Sequence, residues 1–190
     1  MPQQPNILII QADQIAAQWL SVYGNHVVKM PNLETLASQG VVFENAYCNS
    51  PLCAPSRFSM LSGKLPSKIA AYDNAAEFPS SIPCFTHYLR ILGYHTLLSG
   101  KMHFVGPDQL HGFEERLTTD VYPSDYTWTP DWTQDKMLEW YHTMTSVVQA
   151  GPCAASMDID FDDDVAFQTV RKIRNLVRED DKRPFCFFIS

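Results

Sequence analysis

The chain is 190 residues long and carries a formal net charge of −7, from 14 basic and 21 acidic residues, with 45% apolar residues. That balance excludes whole-chain disorder, which needs a low apolar content, and argues against a nucleic-acid binder, which presents a basic face. The length suffices for one sizeable hydrophobic core. No apolar run approaches the ~20 residues a membrane-spanning helix requires, and the N-terminus lacks the basic and apolar segments of a secretory leader. Five scattered cysteines with no C-x-x-C pattern argue against a disulfide scaffold and for a reducing compartment, hence a cytoplasmic location.

Asn6-Ile7-Leu8-Ile9-Ile10 reads as a strand buried on both faces, with polar Gln11 and Asp13 just beyond it. Pro31 to Gln39 reads as a helix, with Asn32 as its N-cap and Gly40 as its stop. Val41-Val42-Phe43 reads as a further strand. Pro83 to Leu92 fits a helix with Phe85, Tyr88, Leu89 and Leu92 on one side, ended by Gly93, and Tyr94 to Ser99 follows as a strand. From Gly106 to Asp131 there is little periodicity and much aromatic, proline and acidic content, which suits an ordered functional loop. Lys136 to Gln149 and Asp164 to Arg178 look helical, and Pro184 introduces the buried strand Phe185 to Ile189. The acidic run from Asp158 to Asp164 lacks the glycine and closing glutamate of a calcium loop and reads as an acid-rich helix start. Arg171-Lys172-Ile173-Arg174 reads as a polar helix face. The alternation implies an α/β fold with a largely parallel sheet. A parallel sheet needs crossovers and neighbours, so an apolar strand closing the chain suggests the first part of a longer protein.

The sharpest local signal is Cys53-Ala54-Pro55-Ser56-Arg57, followed by Phe58 to Gly63. Pro55 suits the first turn of a helix and Gly63 its end. Cys53 would sit just before the helix N-terminus, where free N–H groups and partial positive charge favour an anion, with Arg57 one turn inside. An arbitrary free cysteine is more often a buried structural residue. This one, however, stands in a string that resembles the sulfatase signature C-x-P-S-R, whose chance occurrence in this composition is about one in a thousand. Two further pieces resemble the same family in the same order. One is Ile7 to Asp13, which puts a carboxylate beyond the carboxyl end of the first strand, where open α/β sheets bind ligands. The other is Gly100-Lys101-Met102-His103, similar to the G-K-x-H element. Longer strings, Tyr72 to Phe78, Ser99 to Asp120 and Trp128 to Trp132, are similar to the choline-sulfatase subgroup.

The resemblance implies an alkaline-phosphatase-like sulfatase fold, a three-layer sandwich, with residues 1–190 as the N-terminal portion of its catalytic domain. It implies conversion of Cys53 to formylglycine by a formylglycine-generating enzyme, and a hydrate nucleophile that splits ester hydrolysis into two steps. Asp13 and Cys53 would hold a divalent cation, calcium first and magnesium or manganese otherwise. Arg57 would steady the hydrate or the metal carboxylates, Lys101 would neutralise sulfate oxygens, and His103 would assist proton transfer. Many members carry two adjacent acids where this chain has Asp13-Gln14, so a neutral oxygen replaces one charge. The family's later metal ligands, with a further His and Lys, fall beyond residue 190, so the metal site is expected to be incomplete on this chain alone. For the substrate, the resemblance implies choline O-sulfate. A quaternary ammonium offers no hydrogen bond and pairs with aromatic faces, and Tyr122, Tyr126, Trp128 and Trp132 cluster in sequence, with Trp128 and His142 assigned to the choline end. A homo-oligomer is compatible with the family. Two rival readings stay open: a phosphonate or phosphodiester hydrolase of the same superfamily, and a catalytically incomplete fragment.

Overall fold

A computed structural model describes residues 4–131, 133–134 and 144–190. The chain divides into two compact units, one running up to Gln11 and again from Asn49 to Ser190, the other spanning Ala12–Cys48.

The first unit is organised by four parallel strands, β1 (Ile7–Ile10), β2 (His95–Ser99), β3 (Glu115–Arg116) and β4 (Phe185–Ile189), in the order β1-β4-β2-β3. β4 lies between β1 and β2, with Phe187 opposite Leu8 on one side and Leu97 on the other. Central β2 is buried throughout, polar His95, Thr96 and Ser99 included, as a parallel strand covered on both faces should be. Edge strand β1 instead alternates half-buried and exposed residues, with Leu8 and Ile10 open. This corrects the expectation of burial on both faces. A strand with one neighbour has less of the fold to cover it.

Three helices pack the sheet. The first unit contains α2 (Cys53–Ser62), α3 (Phe85–Ile91), one-turn α4 (Thr145–Val148) and α5 (Met157–Arg178). Leu98 of β2 and Phe188 of β4 join Ala54, Phe58 and Leu61 of α2, Phe78, Cys84 and Phe104 in one core, in which Phe58 stacks on Phe78 at 4.5 Å. Successive strand residues point to opposite faces. Ser99, whose hydroxyl donates to Val165 O of α5, and His95, tied through Glu115 to Lys172 of α5, therefore face the other way. Helix α5 thus covers one face and α2 and α3 the other, which is the expected three-layer arrangement.

Element boundaries shift for local reasons. Helix α5 starts seven residues earlier than its apolar periodicity suggests, because the Ser156 hydroxyl accepts from Ile159 N and Asp158 and Asp160 complement the helix dipole. Helix α3 is shorter than expected and turns a different face inward. Thr86 is buried, donating its hydroxyl to His111 O, while Tyr88 and Leu92 are exposed. In the second unit, α1 (Pro31–Gln39) is capped by Met30, not Asn32, since Pro31 takes the first helical position its fixed φ suits. Residues 41–43 form no strand there: Val41 and Phe43 are exposed, and Phe43 O accepts from Tyr23. An isolated segment has no neighbouring strand to take its backbone groups. Most of the expected helix at Lys136 to Gln149 lies outside the described residues, α4 being its visible part. Among the described residues no helix is long and apolar enough to cross a membrane.

Candidate active site

Helix α2 begins at Cys53 itself, one residue earlier than the sequence suggested, and ends at Gly63, whose φ of 68° is the left-handed stop. Pro55 lies in the first turn, where its missing N–H costs nothing. Cys53 is half-buried and Arg57, one turn along, is 1% exposed. A buried guanidinium needs acceptors. Arg57 Nη1 donates to Lys101 O at 2.6 Å and to Ser190 Oγ at 2.8 Å, so it fastens the cysteine helix to the turn after β2 and to the end of β4.

That turn carries Lys101 and His103. Gly100 has φ 95°, and a Cβ there would stand 1.6 Å from Ser190 O, so only glycine fits. Lys101 N donates to the same Ser190 O at 2.9 Å. The buried Lys101 side chain then runs to the cysteine, placing Nζ 3.3 Å from Cys53 Sγ and 4.4 Å from the centre of the Tyr122 ring. An ammonium there stabilises negative charge on whatever atom residue 53 presents.

His103 is 2% exposed and has φ 62°, left-handed for a residue with a Cβ. Its Nε2 lies 2.8 Å from Asn74 O. A carbonyl only accepts, so Nε2 carries the proton and Nδ1 the lone pair of the neutral ring. Nδ1 is buried with no hydrogen-bond partner among the described residues. Burial holds the His103 pKa below the ordinary histidine value, helped by the nearby Lys101 and Arg57 cations and opposed by the Asn74 hydrogen bond and Asp120.

An aromatic wall stands beside the ring. Tyr122 and Trp128 lie 5.4 and 5.6 Å from His103 and 5.0 Å from each other, centre to centre. Trp128 ends a single turn, Tyr126–Trp128, capped by the Asp125 carboxylate, which accepts from Thr127 N. Glu77 hydrogen-bonds the Tyr126 hydroxyl and raises its pKa.

Cys53, Arg57, Lys101, His103 and Trp128 are therefore linked by direct contacts or shared neighbours within the first unit. Asp13 belongs to the second unit. His142 and Trp132 lie outside the described residues. Three contributors were missed. Asn74 accepts from Ala54 N through Oδ1 at 3.0 Å as well as from His103 through its carbonyl. Asp120 accepts from Met102 N and His103 N. Ser190 meets Arg57 and Lys101. Asn74 and Asp120 stood within the resembling strings, but nothing in their spacing marked these contacts. Among the described residues no three His, Cys, Asp or Glu side chains gather to hold a metal ion, and the described neighbour of Cys53 Sγ is a cation. The residues present do not by themselves make a divalent-cation site.

Residues 5–190 match the family model described as Sulfatase. A choline-sulfatase of Rhizobium meliloti (strain 1021) is 50% identical over 192 residues, covering 98% of this chain and 38% of the relative. A solved structure in complex with its substrate D-glucosamine-2-N,6-O-disulfate is 26% identical, with a TM-score of 0.68 over 98% of this chain and 34% of that one. The phosphonate monoester hydrolase of Agrobacterium radiobacter shares the fold at 21% identity, with a TM-score of 0.67 over 98% of this chain and 40% of that one. The chain thus spans well under half the length of these proteins.

Proposed function

Because the chain belongs to the sulfatase family, we propose that it forms the nucleophile-bearing part of a sulfuric ester hydrolase whose substrate is choline O-sulfate. The observation that carries this reading is the approach of Lys101 Nζ to within 3.3 Å of Cys53 Sγ at the start of a helix. A cation and helix N–H groups together favour an anionic ester and the charge that builds on its oxygens. Converted to formylglycine, residue 53 would supply a hydrated aldehyde: one hydroxyl would attack sulfur and expel the alcohol, and the other would then lose its proton, eliminating sulfate and restoring the aldehyde.

The chain's own residues have separable roles in this reading. Lys101 neutralises sulfate oxygens, Arg57 fixes the helix that carries residue 53, and His103, neutral with its lone pair on Nδ1, accepts a proton. Tyr122 and Trp128 offer aromatic faces to a quaternary ammonium. We assign the family's divalent cation as calcium, with its ligands completed from elsewhere in the whole protein. We further propose a cytoplasmic setting, the reading that five scattered cysteines with no C-x-x-C pattern suggest.

Two measurements test the reading. Peptide mass spectrometry across Cys53 from the native host should show a loss of roughly 18 Da; an unmodified thiol counts against the formylglycine step. Rates of the whole protein on choline O-sulfate and on a phosphonate ester should favour the sulfate, and dominant phosphonate hydrolysis would replace the proposal with the rival reading.

A further inference from the structure

Asp120 is the residue on which the Lys101–His103 turn rests. Its side chain is 3% exposed. One oxygen, Oδ2, accepts from two successive backbone groups, Met102 N at 2.9 Å and His103 N at 2.6 Å, and from Arg116 Nη2 at 3.1 Å. Successive N–H groups converging on one anion occur where the chain turns through a left-handed residue, here His103 with its φ of 62°. That conformation costs a residue with a Cβ about 1–2 kcal/mol, so it persists only where its surroundings enforce it.

The surroundings reach further than the carboxylate. Arg116 donates through Nη1 to Gln109 Oε1 at 2.6 Å, and Gln109 Nε2 donates in turn to Phe104 O and Gly106 O, just past His103. Arg116 Nε donates to Thr118 O, while the Thr118 hydroxyl accepts from Gly100 N at the opposite end of the turn. The segment from Arg116 to Asp120 thus grips the turn at both ends and in the middle, and the middle grip is ionic. A buried carboxylate is expensive to desolvate. An amide could accept from the same two N–H groups, but it would leave the Arg116 charge without its partner.

We propose that Asp120 is a positioning residue for hydrolysis: by gripping Met102 N and His103 N it holds the His103 ring and the Lys101 side chain in register with residue 53. It touches neither substrate nor nucleophile and acts through the turn. The kinetic half of this proposal rests on the sulfuric ester hydrolase reading; the structural half does not.

The test uses Asp120→Asn and Asp120→Ala. In the whole protein, the His103 ring is followed by NMR across pH together with the thermal midpoint. Asp120→Asn should remain folded, with the His103 titration displaced to lower pH because a nearby negative charge is gone. Asp120→Ala should move the ring resonances further, since the backbone grip is lost. In the whole protein acting on choline O-sulfate, kcat should fall about 10-fold in the Asn variant and about 100-fold in the Ala variant, with KM within about twofold, the signature of misplacement rather than weakened binding. If Asp120→Ala does not fold, the Asn variant decides. Wild-type kcat in the folded variants, or a loss confined to KM, overturns the proposal. If the wild-type protein turns over no sulfate ester, the functional reading fails, and the His103 titration alone judges Asp120: an unaltered ring in the folded variants overturns it.

Discussion

Asn74 presents its carbonyl oxygen to His103 Nε2 at 2.8 Å and its side-chain oxygen to Ala54 N at 3.0 Å, so one residue between the two elements ties the start of the cysteine helix to the candidate base. The carbonyl settles which nitrogen carries the proton. Nitrogen-resolved NMR of the 190-residue chain at pH 7.5 should show His103 as the Nε2–H tautomer, titrating below the ordinary value of about 6.5. The opposite tautomer would remove Nδ1 as the proton acceptor.

Stability should fall on acidification for a related reason. Burial lowers the pKa of both His103 and His111, and the His111 ring is packed between Phe78 and Phe104 at 4.6 and 4.3 Å. The unfolded chain binds these protons at higher pH than the folded one, so stability is full above about pH 6.5 and declines as pH falls towards the lowered folded values. Thermal unfolding between pH 7.5 and 5 should show this decline. His111→Asn keeps a residue that tolerates the positive φ of 40° there. It should lower stability at pH 7.5 by about 1–3 kcal/mol through lost packing yet flatten the acid slope; an unchanged slope assigns the effect elsewhere.

Gly100→Ala is expected to be severe. The added methyl would fall 1.6 Å from Ser190 O, with φ at 95°. Either the turn or the end of β4 must move, and urea unfolding should register a loss of at least about 3 kcal/mol. A loss under about 1 kcal/mol would mean the two segments are not interlocked as described.

Arg57→Ala should cost about 2–4 kcal/mol, because it strips a buried charged donor from Lys101 O and Ser190 Oγ. Arg57→Lys should recover little of it, since an ammonium cannot reproduce the planar fork. Denaturant titration of both variants checks the pair; full recovery by lysine would show that charge alone suffices.

How far the sequence disclosed this arrangement depends on the range of the interaction. Cys53, Arg57, Lys101 and His103 could be singled out because each sits in a short string whose meaning is local, and β4 because Phe185 to Ile189 is continuously apolar, as a central parallel strand tends to be. Asp120 and Ser190 act through backbone atoms brought near by folding, and a backbone N–H or carbonyl leaves no mark on residue identity. Helix α3 was misread at Thr86 for a similar reason: its hydroxyl is satisfied by a carbonyl 25 residues away, so a polar residue could turn inward. Residues 41–43 have strand-like composition but gain no neighbour, and β propensity depends on one.

Trp128→Ala should discriminate between substrates in the whole protein. Losing one aromatic face should raise KM for choline O-sulfate by about 2- to 30-fold, the equivalent of ~0.5–2 kcal/mol, and leave an alkyl sulfate that carries no cationic group nearly unaffected. Equal effects on both esters would reassign Trp128 to a supporting role for His103, 5.6 Å away.

The contact between Arg57 and Ser190 spans 133 positions. At about 5–20 residues per second, a ribosome needs on the order of ten seconds after finishing the cysteine helix before that hydroxyl exists. Through this interval the Arg57 guanidinium lacks one of its acceptors, and Lys101 N lacks the carbonyl that anchors it. The neighbourhood of Cys53 therefore completes its assembly on the closure of long-range contacts rather than on the early formation of α2.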